Sequence, residues 1–284
     1  MFAVLRFAVA GIAWVLLSSA ANAQGQAPQA TVRERQDVIN WYYAATFGTG
    51  VYTAGDRSVS VFQLPFSRAL KTVDQDGTGL KFKLSTTFGF YDYYIDSVLK
   101  AKYPDRVSTF SVLPGIEWEV PLTTRWTIRP YLDAGYGWEI AGSKSALIYD
   151  FGVKSRFLIA RDNEVEFTLV NSLTSAGYRP SGEPNKPFGY FASGLDITIP
   201  TERTLFGQEV SIGFTPVYFF YFHRLRFSEF TDSSNAIRDE FQLGLSLVAS
   251  KPWSLKFFEV DRVGLSLRSS GDVTGVSLFT SLPF

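Results

Sequence analysis

Histidine and cysteine, the residues that most often act as nucleophiles or metal ligands, are almost missing from this sequence. It has one histidine, His223, and no cysteine among 284 residues. Thiolate nucleophiles, disulfides and thiolate metal sites are therefore excluded, and no second imidazole is available for a metal cluster. The glycines are scattered and form no phosphate-binding loop. We expect no cofactor, no metal site and no catalytic residue, and we predict that the protein is not an enzyme.

Acids and bases are the remaining chemically active side chains, and they recur on one side of alternating segments. The sequence has 27 basic and 27 acidic residues, a balance that predicts no nucleic-acid partner. An ionised group inside a protein wall must be hydrated or paired, so mixed signs favour a structural network over a ring that selects ions, the alternative. The side chains expected to face a lumen are Lys81, Lys83, Glu117, Glu119, Arg125, Arg129, Asp133, Asp150, Lys154, Arg156, Glu164, Glu166, Arg262 and Arg268, and Asp196 and Glu209 share their parity.

Strict alternation of apolar and polar residues defines the elements that position these charges. Leu243, Leu245 and Leu247 alternate with Gly244 and Ser246, a period of two that is typical of a β-strand with one apolar face. Twelve such segments follow one another along the chain. They cover residues 41–53, 57–69, 78–92, 106–121, 124–138, 144–159, 164–178, 187–200, 208–222, 236–251, 257–269 and 273–284.

These segments predict a membrane protein without transmembrane helices. After residue 23 no run of 18 apolar residues could span a bilayer as a helix, although 16% of all residues are aromatic. Backbone polar groups left unpaired in hydrocarbon cost several kcal/mol each, so only helices and closed barrels cross membranes. We predict an all-β fold, a transmembrane antiparallel up-and-down β-barrel of 12 strands, with 10 strands as the alternative. The second segment changes phase between Val61 and Phe62, which would mark a bulge or a mistaken strand.

The connections between the predicted strands differ in length in an ordered way. Outer-membrane barrels have short periplasmic turns and longer extracellular loops. The even-numbered connections are brief and should be periplasmic. They lie near residues 74–77, 121–123, 161–163, 200–206 and 251–255, whereas the long connections, 93–106, 179–187 and 223–237, are all odd-numbered.

The first 40 residues predict export. Residues 1–23 combine Arg6, an apolar run and a small-residue end at Ala21 and Ala23, as a cleaved signal peptide does. Residues 24–40 form a short polar segment that would hang in the periplasm or enter the lumen as a short helix. The barrel would then occupy residues 41–284. We expect the mature protein in the outer membrane of a Gram-negative bacterium.

Aromatic residues near the predicted strand ends suggest membrane–water interfaces, where amphipathic rings settle at headgroup level. Ordinary core aromatics are the alternative. The residues concerned are Trp41, Tyr42, Tyr43, Trp118, Trp126, Tyr136, Trp138 and Trp253.

Two stretches carry a family resemblance. The segment 130–138, PYLDAGYGW, and a last strand with Val276, Leu278, Leu282 and the terminal Phe284 on one parity resemble the translocator barrel of autotransporters. The resemblance implies the barrel assembly machinery as a partner and Phe284 as part of its assembly signal. Because residues 24–40 are too few for a passenger domain, the chain resembles a solitary translocator barrel.

Three functions are compatible with such a barrel. The first is a small or plugged pore or transport channel. The second is a structural or surface-interaction barrel that works through its extracellular loops. The third, an outer-membrane lipid-modifying enzyme, is disfavoured because no His-x-Ser-Asn-Gly motif of the outer-membrane phospholipases surrounds His223. Apart from the assembly machinery, only outer-membrane lipid is expected as a partner, and the oligomeric state is not predicted.

Overall fold

The computed structural model describes residues 48–54, 57–73, 77–91, 108–140, 142–225, 237–255, 258–271 and 273–282. The predicted signal peptide, the polar segment 24–40, the first residues of the predicted barrel and Phe284 lie outside the described residues. Within the described residues, no helix is long and apolar enough to cross a membrane.

Within the described residues, twelve antiparallel strands form a closed barrel, in which each strand pairs with its neighbours in the chain and β1 pairs with β12. This order confirms the predicted fold class and strand number, and ten strands are excluded. The strands are β1 (Thr49–Ala54), β2 (Arg57–Lys71), β3 (Gly79–Tyr91), β4 (Thr109–Pro121), β5 (Trp126–Glu139), β6 (Ser145–Asp162), β7 (Val165–Pro180), β8 (Lys186–Leu205), β9 (Gln208–Leu225), β10 (Ile237–Leu255), β11 (Phe258–Ser270) and β12 (Val273–Phe279).

The two faces of the barrel wall have opposite chemistry. In β11, Val263 and Leu265 are exposed on the outside, whereas Arg262, Ser266 and Arg268 are buried inside. The same alternation holds along β4, β5 and β10, so the exposed surface is apolar and the interior polar. This is the reverse of a water-soluble sandwich and is the pattern of strands that face lipid.

The predicted ends of β8 and β10 were wrong, and a proline lies near each of them. The connections predicted near residues 200–206 and 251–255 are largely strand, because β8 continues to Leu205 and β10 to Leu255. The pairing register shifts between Pro200 and Arg203 and again between Val248 and Trp253, on either side of Pro252. Proline has no N–H for the ladder, and sheets accommodate it at such bulges. The broken alternation therefore marks bulges in continuing strands.

The phase change between Val61 and Phe62 has a different explanation. β2 pairs with β3 without interruption through both residues. Val61 is buried in the interior and Phe62 is exposed on the outer face. The strand is therefore regular there, and an inward-pointing valine produced the irregular pattern.

The two rims of the barrel differ in their connections. At one rim, here called the short-turn end, residues 163–164 and 206–207 form two-residue turns. Both central residues have positive φ in each turn, at Asn163 and Glu164 and at Phe206 and Gly207, which matches the twist of antiparallel hairpins. The opposite rim, the long-loop end, carries the connections between β3 and β4 and between β9 and β10. The β7–β8 connection at that rim is only residues 181–185, shorter than predicted.

Candidate functional site: the barrel interior

The interior divides into two halves along the barrel axis. Toward the long-loop end, the inward side chains are mostly aromatic, small or hydrogen-bonded, and they are buried; this region is called the packed half. Toward the short-turn end, acids and bases line a cavity of about 330 Å³; this region is called the charged half.

Aromatic rings fill much of the packed half. Tyr190 of β8 lies beside Phe219 and Tyr221 of β9, with ring centroids 5.6 and 5.7 Å apart. Neighbouring strands bring these rings together because Tyr190 pairs directly with Tyr221, and both face inward. Tyr221 is 1% exposed and Phe219 is fully buried. The rings therefore occupy space that an open channel would leave to water.

A charged network completes the packed half. Arg268 Nη1 lies 3.2 Å from Glu240 Oε1, and Arg268 Nε donates a hydrogen bond of 3.0 Å to Gln242 Oε1. Gln242 in turn donates to Ser266 Oγ, at 2.7 Å, and the Tyr221 hydroxyl donates to Glu240 at 3.2 Å. The Arg268 guanidinium also lies 5.0 Å from the Phe219 ring centroid. Because these contacts join β9, β10 and β11, they fix the buried rings against the wall.

Ion pairs in the charged half run along the wall rather than across the lumen. Lys83 of β3 donates to Asp133 of β5 at 2.7 Å, and Arg129 of β5 donates to Glu119 of β4 at 2.9 Å. A further pair joins Lys154 of β6 to Glu117 of β4 at 3.5 Å. The two partners of each pair lie either on adjacent strands or on strands separated by one other strand. Such pairs narrow the interior from one side and leave the cavity between them and the opposite wall.

Tyr131 contacts several residues of this charged wall, and its role was not predicted from the sequence. Two ammonium groups lie over its ring, Lys83 Nζ at 4.6 Å and Lys154 Nζ at 4.9 Å from the centroid, a cation–π arrangement. Its hydroxyl donates to Asp150 Oδ1 at 3.0 Å and shares a hydrogen bond of 2.9 Å with Thr174. The signal was available, because Tyr131 has the same parity as Asp133 within the segment 130–138.

A second buried ion pair joins distant strands. Arg262 of β11 donates two hydrogen bonds to the Asp196 carboxylate of β8, at 2.9 and 2.7 Å. Thr215 of β9 donates a third, at 2.7 Å. Only 3% of the Arg262 side chain and 2% of the Asp196 side chain are exposed. Since β9 and β10 separate these strands, the ion pair of Arg262 and Asp196, here called the brace, lies across the inner wall.

Several predicted lumen residues lie at the rims. Arg125 is exposed in the turn before β5, and Glu164 is exposed in the β6–β7 turn. Glu166 forms an exposed pair with Arg161 beside the same turn, and Glu209 is exposed at the start of β9. Their parity alone predicted that these residues face the lumen. They lie instead in or beside the turns at the strand ends. The His223 side chain lies outside the described part of the chain. Among the described side chains, no group of His, Cys, Asp and Glu could hold a metal ion.

Four of the predicted interface aromatics lie on the outer face. Trp118 and Trp126 are exposed close to the short-turn end, and Tyr136 and Trp138 are exposed toward the opposite rim. Trp126 Nε1 donates to Ser155 Oγ at 2.9 Å, and Trp253 Nε1 donates to the Leu205 carbonyl at 3.1 Å. Trp41, Tyr42 and Tyr43 lie outside the described residues.

Comparisons with known proteins give two structural similarities. No family model and no curated protein matches the chain. The chain is similar to the β domain of the Bordetella autotransporter BrkA, with 10% sequence identity and a TM-score of 0.49, over 82% of this chain and 96% of that one. It is also similar to the KdgM porin, solved in complex with disordered oligogalacturonate, with 12% identity and a TM-score of 0.38, over 80% of this chain and 92% of that one. The fold itself is defined by the closed order of its twelve strands.

Proposed function

We propose that this protein is an integral outer-membrane β-barrel whose interior is a small pore, held largely closed by its own side chains. The observation that carries the proposal is the division of the interior, with a charged cavity at one end and buried rings at the other. Twelve strands place the barrel between filled eight-stranded barrels and open 16-stranded porins, so its lumen depends on the side chains that occupy it.

The outer surface supports the membrane location. Leu132, Phe151, Leu173, Leu245 and Leu265 are exposed on the outer faces of five different strands. In water such a surface would be unfavourable, because each buried methylene contributes about 0.8 kcal/mol on transfer to an apolar medium. A bilayer supplies that medium, and closure of the barrel leaves no unpaired sheet edge within it.

We predict that the mature protein fractionates with outer membranes. It should also migrate faster on a denaturing gel when unboiled than when boiled, because the closed hydrogen-bonded barrel resists detergent until it is heated. Cell fractionation and paired gel lanes test this directly. Recovery of the protein from the soluble periplasm, with no mobility difference, would contradict the proposal.

We predict that the unchanged protein forms pores of small conductance in planar bilayers, and that Tyr221→Ala increases the single-channel conductance several-fold. The substitution removes a buried ring that lies between Tyr190 and Glu240 in the packed half. Tyr218→Ala is the matched control, since Tyr218 lies on the same strand but is 46% exposed on the outer face.

Three other outcomes would change the assignment. A large, steady and weakly selective conductance from the unchanged protein would indicate a general porin. No conductance from the unchanged protein or from Tyr221→Ala would instead favour the alternative of a structural or surface-interaction barrel. Lipid hydrolysis by the refolded protein would contradict the prediction that the protein is not an enzyme.

A further inference from the structure

The bases of the charged half outnumber the acids that pair with them. Five bases line the cavity: Lys81, Lys83, Arg129, Lys154 and Arg156. Three of them form the ion pairs described above, with Asp133, Glu119 and Glu117. Lys81 and Arg156 form no ion pair with any described residue. Burial removes hydration from Arg156 without an ion pair to compensate for it, whereas Lys81 has the Glu117 carboxylate opposite it on β4.

Arg156 has a second base, Arg129, as its neighbour on the adjacent strand. Thr127 pairs with Arg156 and Arg129 pairs with Lys154 between β5 and β6, so Arg129 and Arg156 are diagonal neighbours on the inner face. One terminal nitrogen of Arg129 donates a hydrogen bond to Glu119, while the buried Nε of Arg129 has no hydrogen-bond partner within the described structure. Neighbouring like charges repel each other, and an anion between the two guanidinium groups would relieve that repulsion.

Of the other charges near Arg156, only Asp261 is an acid without an ion-pair partner among the described residues. Arg262 also repels Arg156, and Asp196 attracts Arg156. Arg262 and Asp196, however, are bound to each other. Asp261 attracts Arg156 from β11, which lies opposite β5 in the ring of strands. Glu259, on the same strand, is exposed and therefore hydrated. The bases thus lie on one side of the cavity, and the free acids lie on the other.

We propose that the charged half contains a binding site for a small oxyanion, a carboxylate or a phosphate, at Arg156 beside Arg129, in the cavity that Lys81 also lines. A guanidinium presents donors in a fixed fork that matches the oxygens of such groups. This inference rests on the proposed function, because it names small oxyanions as the solutes that the proposed pore prefers. Binding can be measured without any current, so the two can fail separately.

Calorimetric titration of the refolded protein in detergent tests the site, with sodium phosphate and sodium acetate as the probes. Phosphate, acetate or both should bind at one site per barrel, and the pattern distinguishes the two anion classes. Arg156→Gln should weaken the binding by about tenfold to a hundredfold, since a hydrogen bond to a charged group contributes about 1.5 to 3 kcal/mol and 1.4 kcal/mol is tenfold. Arg161→Gln is the control, because Arg161 lies on the same strand but is exposed near the turn.

Bilayer recordings in a potassium chloride gradient supply the second measurement. The unchanged protein should prefer chloride to potassium, and Arg156→Gln should reduce that preference, while Glu259→Gln should increase it. The heat-dependent gel shift of each variant shows that it has folded. Failure of both anions to bind, equal binding by Arg156→Gln, or a preference for potassium would overturn the inference. Anion binding without any conductance would contradict the pore and leave the site supported.

Discussion

Replacing Arg262 with alanine is expected to lower the free energy of unfolding by about 3 to 5 kcal/mol, the usual cost of removing one partner from a buried ion pair. The loss is large because the Asp196 carboxylate would keep its negative charge in a buried position without its two guanidinium hydrogen bonds. Thr215 would remain as its donor, but a single hydroxyl cannot neutralise the charge. Urea titration of the refolded barrel in lipid vesicles measures the change.

Two further variants separate this buried brace from ordinary surface charge. The double variant Arg262→Met with Asp196→Leu should recover most of the loss, because no unpaired charge is left inside. Arg161→Ala breaks the exposed pair with Glu166 and should cost no more than about 1 kcal/mol, as exposed pairs do. If Arg262→Ala and Arg161→Ala had equal effects, the brace would contribute no more than a surface pair.

Leu265→Arg is the second substitution with a large expected effect, a loss of about 2 to 4 kcal/mol if the residue lies near the bilayer midplane. Leu265 is in the middle of β11, is 57% exposed, and pairs with Leu245 and Leu278 on the outer face. An arginine there would have to place its charge in hydrocarbon or bend toward a headgroup. Unfolding in lipid vesicles, compared with the same measurement on Leu245→Arg, tests the prediction.

The structure determines which control suits this experiment. Ser246 has the opposite parity, but it is 4% exposed and its hydroxyl lies 3.5 Å from the Gly213 carbonyl, so an arginine there would be overpacked. Ser85 lines the charged cavity and has room beside it. Ser85→Arg should therefore be tolerated far better than Leu265→Arg. Equal losses at both positions would mean that the outer face is not in contact with lipid.

The aromatic residues show the limit of reading faces from residue type. Tyr131, Phe219 and Tyr221 have the parity of the lumen, yet apolar character in a barrel sequence suggests contact with lipid. Parity places them correctly, whereas residue type does not. The interior of a narrow barrel must be filled, and rings with a hydroxyl group fill it while still hydrogen-bonding to buried acids such as Asp150 and Glu240.

The sequence by itself determined the elements and their faces. Alternation is local, because each residue of a strand points away from its neighbours, so twelve strands and the inward parity of Lys83, Glu117 and Arg262 could be predicted from adjacent residues alone. Only the tertiary structure decided which acid meets which base. Arg262 reaches Asp196 across two intervening strands, and Arg156, beside Arg129, forms no ion pair with any residue that the structure describes, because register, bulges and closure of the ring set those distances. These are properties of strand pairs distant in the chain, and no period within one strand encodes them.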